Sequence, residues 1–290
     1  MQIVNIAVLG AGTMGRGIAH VAALAGYETS LYDVDAASLA RAEEAIHRNL
    51  DKGVSLGKVE AAEAEGARAR LVLDTELAAA VEEADLVIEA APESLALKLE
   101  IFGQVASHAP SGALFASNTS SLSVTEMAAG SGRPARFAGM HFFNPVHRMK
   151  LLELVRGLDT AEETVEILRE VGERMGKEVV VVRDFPGFAT SRINALIGNE
   201  AFRMLEQGVA SAPDIDRAIK LGLNHPMGPF EMADLVGLDV RLAILEHLHA
   251  TLGETFRPAN LMRQYVQAGR FGRKTGKGVY EYDPEGRRLE

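Results

Sequence analysis

Short apolar runs alternate with helix-spaced segments over the first two thirds of the chain. Runs at residues 4–9, 28–32, 71–73, 86–88, 114–117, 137–142, 151–155 and 178–182 have the length and content of buried strands. Helical spacing fills most of the intervals, at 14–26, 36–52, 58–70, 76–83, 94–107, 123–129 and 161–175. Residues 58–70 are polar and alanine-rich, so that helix is expected to lie outside the core. Strand–helix alternation predicts an α/β fold with a mostly parallel sheet covered on both faces. The pattern changes at Asp184-Phe-Pro-Gly187. Beyond it strands nearly vanish, and 188–207, 213–221, 231–250 and 258–268 read as helices punctuated by Gly or Pro. Two domains are therefore expected: a sheet domain at 1–184 and a C-terminal all-helical domain at 185–290.

Composition narrows the setting. The 290 residues are 47% hydrophobic and 24% charged, which suits a soluble protein of two modest domains. No apolar run reaches the roughly 18 residues of a membrane span. The N-terminus reads as a first strand and lacks the basic head and cleavage site of a signal peptide, which points to the cytoplasm. Cysteine is absent, so disulfides, thiolate nucleophiles and thiolate metal sites are excluded. No metal site is expected either, since no helix face carries paired histidines or a carboxylate cluster. A net charge of −10 argues against nucleic-acid binding, and it means that a polyanionic ligand would need a local basic patch.

Gly10-Ala-Gly12-Thr13-Met14-Gly15 matches G-x-G-x-x-G between a predicted strand and a predicted helix. Gly10 permits a tight turn, Gly12 a close approach to a pyrophosphate, and Gly15 close helix–sheet packing. The helix start offers N–H groups and a partial positive charge to phosphates. Asp33 closes the second strand, 18 residues after Gly15, where a carboxylate accepts from ribose hydroxyls. No Arg or Lys follows it in Val34-Asp-Ala-Ala-Ser38 to offset a 2′-phosphate, which favours NAD over NADP. The first domain is thus read as Rossmann-type. No second flavin-contacting segment is evident, which disfavours FAD.

Three polar segments follow short apolar strands: Glu89-Ala-Ala-Pro-Glu93, Ser117-Asn-Thr-Ser-Ser121 and His141-Phe-Phe-Asn144. Ligands bind past the carboxyl ends of strands in such folds. On spacing alone, Asn118 to Ser121 could equally be a helix N-cap. His141 alone could equally be a satisfied histidine at a strand terminus. Glu153 weighs on that choice. It lies between leucines on a predicted buried strand, and an unpartnered buried carboxylate is costly. Imidazoles exchange protons near neutral pH, and a carboxylate on the second ring nitrogen fixes the tautomer. His147, beside Arg148, reads as an exposed loop histidine.

Taken together, these motifs resemble the short-chain L-3-hydroxyacyl-CoA dehydrogenases, the bacterial 3-hydroxybutyryl-CoA dehydrogenases among them. The resemblance runs nearly end to end, through Lys150-Leu-Leu-Glu-Leu-Val155, Asp184-Phe-Pro-Gly-Phe188, Pro226-Met-Gly-Pro-Phe-Glu231 and Gly272-Arg-Lys-Thr-Gly-Lys-Gly-Val-Tyr280. It implies NAD-dependent, reversible oxidation of a (S)-3-hydroxyacyl-CoA to the 3-ketoacyl-CoA, as in fatty acid β-oxidation and butanoate metabolism. It implies His141 as catalytic base, Glu153 as its orienting carboxylate, and Ser120 and Asn144 as contacts to substrate and nicotinamide. Glu93, Lys98 and Lys274 fall at positions that contact NAD in the family. A homodimer joined through the C-terminal helices is also implied.

The chain departs from the family pattern in two places. Ser191 stands where the family often has a substrate-holding asparagine. The usual CoA-gripping residues are not clearly matched around 49–58, where Lys52 and Lys58 are the nearest basic candidates for CoA phosphates. Two rival readings remain open at this point. A dehydrogenase of free hydroxy acids would use a lysine base such as Lys220 in the helical domain, and a non-catalytic dinucleotide-binding protein would need no base at all.

Overall fold

The computed structural model describes residues 1–289 and divides into two compact units, Met1–Phe185 and Pro186–Glu290. The first unit is built on one eight-stranded sheet. Its strands are β1 (Asn5–Leu9), β2 (Glu28–Tyr32), β3 (Leu71–Asp74), β4 (Leu86–Glu89), β5 (Leu114–Ser117), β6 (Phe137–Phe142), β7 (Leu151–Arg156) and β8 (Glu178–Arg183). Their order is β3-β2-β1-β4-β5-β6-β7-β8. β1 to β6 are mutually parallel, whereas β7 pairs antiparallel with β6. The strand order reverses between β1 and β4, and ligands bind at such a switch point in doubly wound sheets.

β4, β5 and β6 are buried along their whole length, as continuous apolar runs predict for central parallel strands. The helices of this unit are α1 (Thr13–Leu24), α2 (Ala36–Ser55), α3 (Ala61–Ala69), α4 (Leu77–Val81), α5 (Leu95–His108), α6 (Val124–Gly130) and α7 (Glu162–Arg174). α1 buries Ile18, Ala19, Val21, Ala22 and Ala23, small enough for the helix to lie close to the sheet. α3 corrects an expectation. Ala64 and Ala67 belong to the core, because alanine lets a short polar helix approach its neighbours on one face.

The second unit holds α8 (Thr190–Glu206), α9 (Ala212–Gly222), α10 (Pro229–Val236), α11 (Leu238–Leu252) and α12 (Asn260–Gln267). The helix expected at 231–250 is thus two helices. Gly237 separates them with φ +107°, a left-handed-side conformation that interrupts the helix. Phe202 and Phe230 meet edge to face at 5.1 Å in this unit's core. Buried Asp216 accepts from the backbone N–H of Phe230 and Glu231 and from Tyr280 Oη. Buried Asp234 does the same for Val279, Tyr280 and Tyr282. Among the described residues, no helix is long and apolar enough to cross a membrane.

Candidate active site

The glycine turn leads from β1 into α1. Gly10 has φ +102°, and a Cβ there would lie 2.9 Å from the Ala90 carbonyl oxygen. A Cβ on Gly15 would run into the Gly10 carbonyl, so the helix can sit this close only with glycine. Around Gly12 the space is open: a Cβ there would meet nothing within 4 Å. Gly12 is also the N-cap of α1 and supplies no side-chain cap, and the first turn holds no acidic residue. The first N–H groups of a helix have no partner within it. At the tip of β2, Asp33 accepts from Ala11 N–H at 2.8 Å through Oδ2 and from Asp35 N–H at 3.0 Å through Oδ1. The open face over Gly12, an uncapped helix start at Thr13 and Met14, and an oriented carboxylate fit a dinucleotide's pyrophosphate and ribose.

The next two strands end in one hydrogen-bonded network. Glu89, the last residue of β4, is 0% exposed. Its Oε1 accepts from Ala91 N–H and Lys98 Nζ, both at 2.6 Å, and its Oε2 from Ser117 Oγ at 2.6 Å. Lys98, on α5, is 1% exposed and also donates to the Ala91 carbonyl. Its ammonium lies 3.5 Å from Glu93. Glu93 Oε1 in turn accepts from Thr119 Oγ1 at 2.6 Å and from Ser120 N–H at 3.0 Å, with the Ser120 hydroxyl at 3.3 Å. The run 118–121 is therefore not a helix cap; Ser123 caps α6. Asn118 has a separate role that its sequence context does not reveal. Its Oδ1 accepts from Phe142 N–H at 2.9 Å and pins the end of β6.

His141 and Glu153 are direct partners in the antiparallel register of β6 and β7. Antiparallel pairing alone sets the two side chains opposite each other. His141 Nδ1 lies 2.8 Å from Glu153 Oε2. Glu153 is 0% exposed and His141 7%. Phe143 lies beside the imidazole at 4.4 Å between ring centroids. A buried carboxylate on one ring nitrogen orients the imidazole and stabilises its protonated form, so this arrangement can move a proton at the carboxyl edge of the sheet.

The remaining residues singled out from sequence are spread more widely. Asn144 is exposed on the turn that follows β6, and Lys52 and Lys58 are exposed on and after α2. Ser191 lies in the first turn of α8 in the second unit. Lys274, also in the second unit, pairs with Asp239 at 2.6 Å. Lys220 is held by both carboxylate oxygens of Glu231, at 2.9 and 3.2 Å, which engages it in an ion pair inside its own unit.

A glycine-rich turn into an uncapped helix, a ribose-type carboxylate and a strand-end imidazole–carboxylate pair together define a dinucleotide-dependent oxidoreductase of the doubly wound class. Residues 5–185 match the model of the 3-hydroxyacyl-CoA dehydrogenase NAD binding domain, and residues 187–282 that of the 3-hydroxyacyl-CoA dehydrogenase C-terminal domain. The chain belongs to the 3-hydroxyacyl-CoA dehydrogenase family, and its cofactor is NAD. It is 44% identical over 284 residues to a probable 3-hydroxybutyryl-CoA dehydrogenase of Bacillus subtilis, covering 98% of this chain and 99% of that one. It is also 44% identical to 3-hydroxybutyryl-CoA dehydrogenase of Bradyrhizobium diazoefficiens, covering 97% and 96%. Among solved structures it is similar to (S)-3-hydroxybutyryl-CoA dehydrogenase of Ralstonia eutropha. That match has a TM-score of 0.94 and 41% identity, and covers 97% of this chain and 100% of that chain.

Proposed function

We propose that this enzyme interconverts (S)-3-hydroxyacyl-CoA, with 3-hydroxybutyryl-CoA as the reference substrate, and the 3-ketoacyl-CoA. The observation that carries the reading is the His141 Nδ1–Glu153 Oε2 contact of 2.8 Å between buried partners. NAD, when bound, would supply the hydride acceptor for C3 of the substrate, and in its reduced form the donor for the reverse direction. Gly10, Gly12, Thr13, Met14, Gly15 and Asp33 would hold its phosphates and ribose, with Glu93, Lys98 and Lys274 completing the set. Lys98 is buried, so it serves through the position it gives Glu93.

During oxidation His141 Nε2 takes the proton of the substrate hydroxyl, and Glu153 stabilises the imidazolium through Nδ1. During reduction the same nitrogen returns that proton to the developing alkoxide. Ser120 and Asn144 orient the reacting oxygen and the thioester carbonyl. Ser191 makes the substrate contact that asparagine makes in relatives, with a shorter reach. Lys52 and Lys58 face the CoA phosphates and locally offset the net charge of −10. The enzyme acts in the cytoplasm as a homodimer joined through its C-terminal helices, in fatty acid or butanoate metabolism.

The test is NAD reduction with 3-hydroxybutyryl-CoA beside free 3-hydroxybutyrate. The thioester is expected to be turned over and the free acid not. Turnover of the free acid alone would contradict the reading.

A further inference from the structure

The turn at 143–149 carries Asn144 and leaves the strand that bears His141. It is fastened from below by groups the mechanism above does not use. Val146 sits on Gly17 of α1, where a Cβ would come within 2.8 Å of Val146 Cγ2. The His147 ring stacks on His20 of α1, with centroids 5.5 Å apart and planes 13° from parallel. Lys177, between α7 and β8, is buried and donates its ammonium protons to the carbonyl oxygens of Val146 and Met149. A lysine held by two backbone carbonyls of a turn fixes that turn's path, because burying the ammonium without them would be costly.

We propose that Lys177 and the His20–His147 stack are positioning residues for the dehydrogenase reaction. They hold the 143–149 turn, and with it Asn144 and His141, against the helix whose first turn cradles the cofactor. This inference rests on the reading that His141 and Asn144 serve the substrate.

The surroundings of the stack make it sensitive to acid. His20 is 4% exposed, and its Nδ1 has no hydrogen-bond partner. The charged and titratable groups facing it are His147 and Lys177. Those facing His147 are Arg148 on the same turn, Lys177, and Lys52 from α2. All are bases, so a proton on either ring meets like charge, and on buried His20 a desolvated setting as well. Burial first, then His147 and Lys177, pushes His20 down to about 4. Burial and the neighbouring cations lower His147 as well. The stack therefore holds while both rings are neutral and loosens in acid.

The direct test is Lys177→Met assayed with 3-hydroxybutyryl-CoA and NAD. The expected result is a kcat roughly ten- to a hundredfold lower, with the Kd for NAD within about twofold of wild type. His147→Ala removes the stack without leaving a buried charge, and is expected to lower kcat by roughly tenfold, again with NAD affinity kept. It serves as the second variant if Lys177→Met folds poorly. The third readout is the pH profile of 3-ketoacyl-CoA reduction, the direction that consumes a proton. Wild type should lose activity as pH falls from about 5 through about 4, where His20 takes its proton, and His20→Phe, which keeps a stacked ring but cannot titrate, should flatten that loss. A kcat within about twofold of wild type in both Lys177→Met and His147→Ala would overturn the proposal. So would a parallel loss of turnover and NAD affinity, and so would identical pH profiles for wild type and His20→Phe. If wild type itself fails to turn over the thioester, the proposed function fails instead.

Discussion

Glu89 and Glu153 are both 0% exposed, both lie in the same sheet toward its carboxyl edge, and both hold a basic side chain. Glu89 holds Lys98 at 2.6 Å and also accepts from Ala91 N–H and Ser117 Oγ. Its partner is 1% exposed and spends its other contacts on Ala91 and Glu93. Nothing in that arrangement calls for the proton to leave. Glu153 holds an imidazole instead, through Nδ1, and His141 is the more exposed of the two bases at 7%. Burial of a charged pair is therefore not the sign of catalysis here. On the proposed reading the sign is a partner that exchanges protons near neutral pH, placed at the carboxyl edge of the sheet that also carries the cofactor turn. One pair is an anchor that arranges Glu93 and the Ser120 loop, and the other is the pair proposed to move the proton.

Substitutions at each pair can sharpen or break that contrast. Lys98→Met leaves Glu89 buried without its cation, and is expected to cost about 3–5 kcal/mol of stability in urea unfolding. A variant as stable as wild type would mean that the anchor role is wrong. Glu153→Gln keeps a hydrogen-bonding group but removes the charge that stabilises the imidazolium. Turnover of 3-hydroxybutyryl-CoA is expected to fall roughly a hundredfold, with NAD affinity preserved. Unchanged turnover would place Glu153 with Glu89 as a structural carboxylate. Asp33→Ala touches neither pair and should act on the cofactor alone. It is expected to raise KM for NAD roughly tenfold, the scale of one charge-assisted hydrogen bond, while kcat at saturation holds. A change confined to kcat would count against the ribose assignment.

The smallest effect concerns acid stability. His20 titrates at about 4 in the folded chain, against 6.5 for a free histidine. Between those values the unfolded chain binds the extra proton, so stability is complete above about pH 6.5 and is lost as pH falls toward about 4. The urea midpoint should follow that slope in wild type and lose part of it in His20→Phe.

Most of the sheet was legible because its strands are continuous apolar runs ended by polar residues, as in 86–88 and 114–117. His141 and Glu153 were legible because a glutamate between leucines demands a partner. The antiparallel register that joins them was not, since it depends on how β7 turns back on β6. Asn118 went unread for a similar reason: it accepts from Phe142, 24 residues away on the neighbouring strand. The His20–His147 stack joins a helix to a turn 127 positions further on, and no local pattern marks it. The helix break at Gly237 was hidden because glycine is also tolerated inside helices, and its φ of +107° is set by the packing around it. The burial of Ala64 and Ala67 escaped a reading based on polarity, because alanine serves a solvent face and a close helix contact equally well.

The most direct measurement on the central claim is turnover by His141→Gln, which retains a side chain able to hydrogen-bond Glu153. The expected result is a fall of at least about a hundredfold in kcat for 3-hydroxybutyryl-CoA oxidation, with unchanged NAD affinity. Turnover within about threefold of wild type would contradict the assignment of His141 as the group that moves the proton.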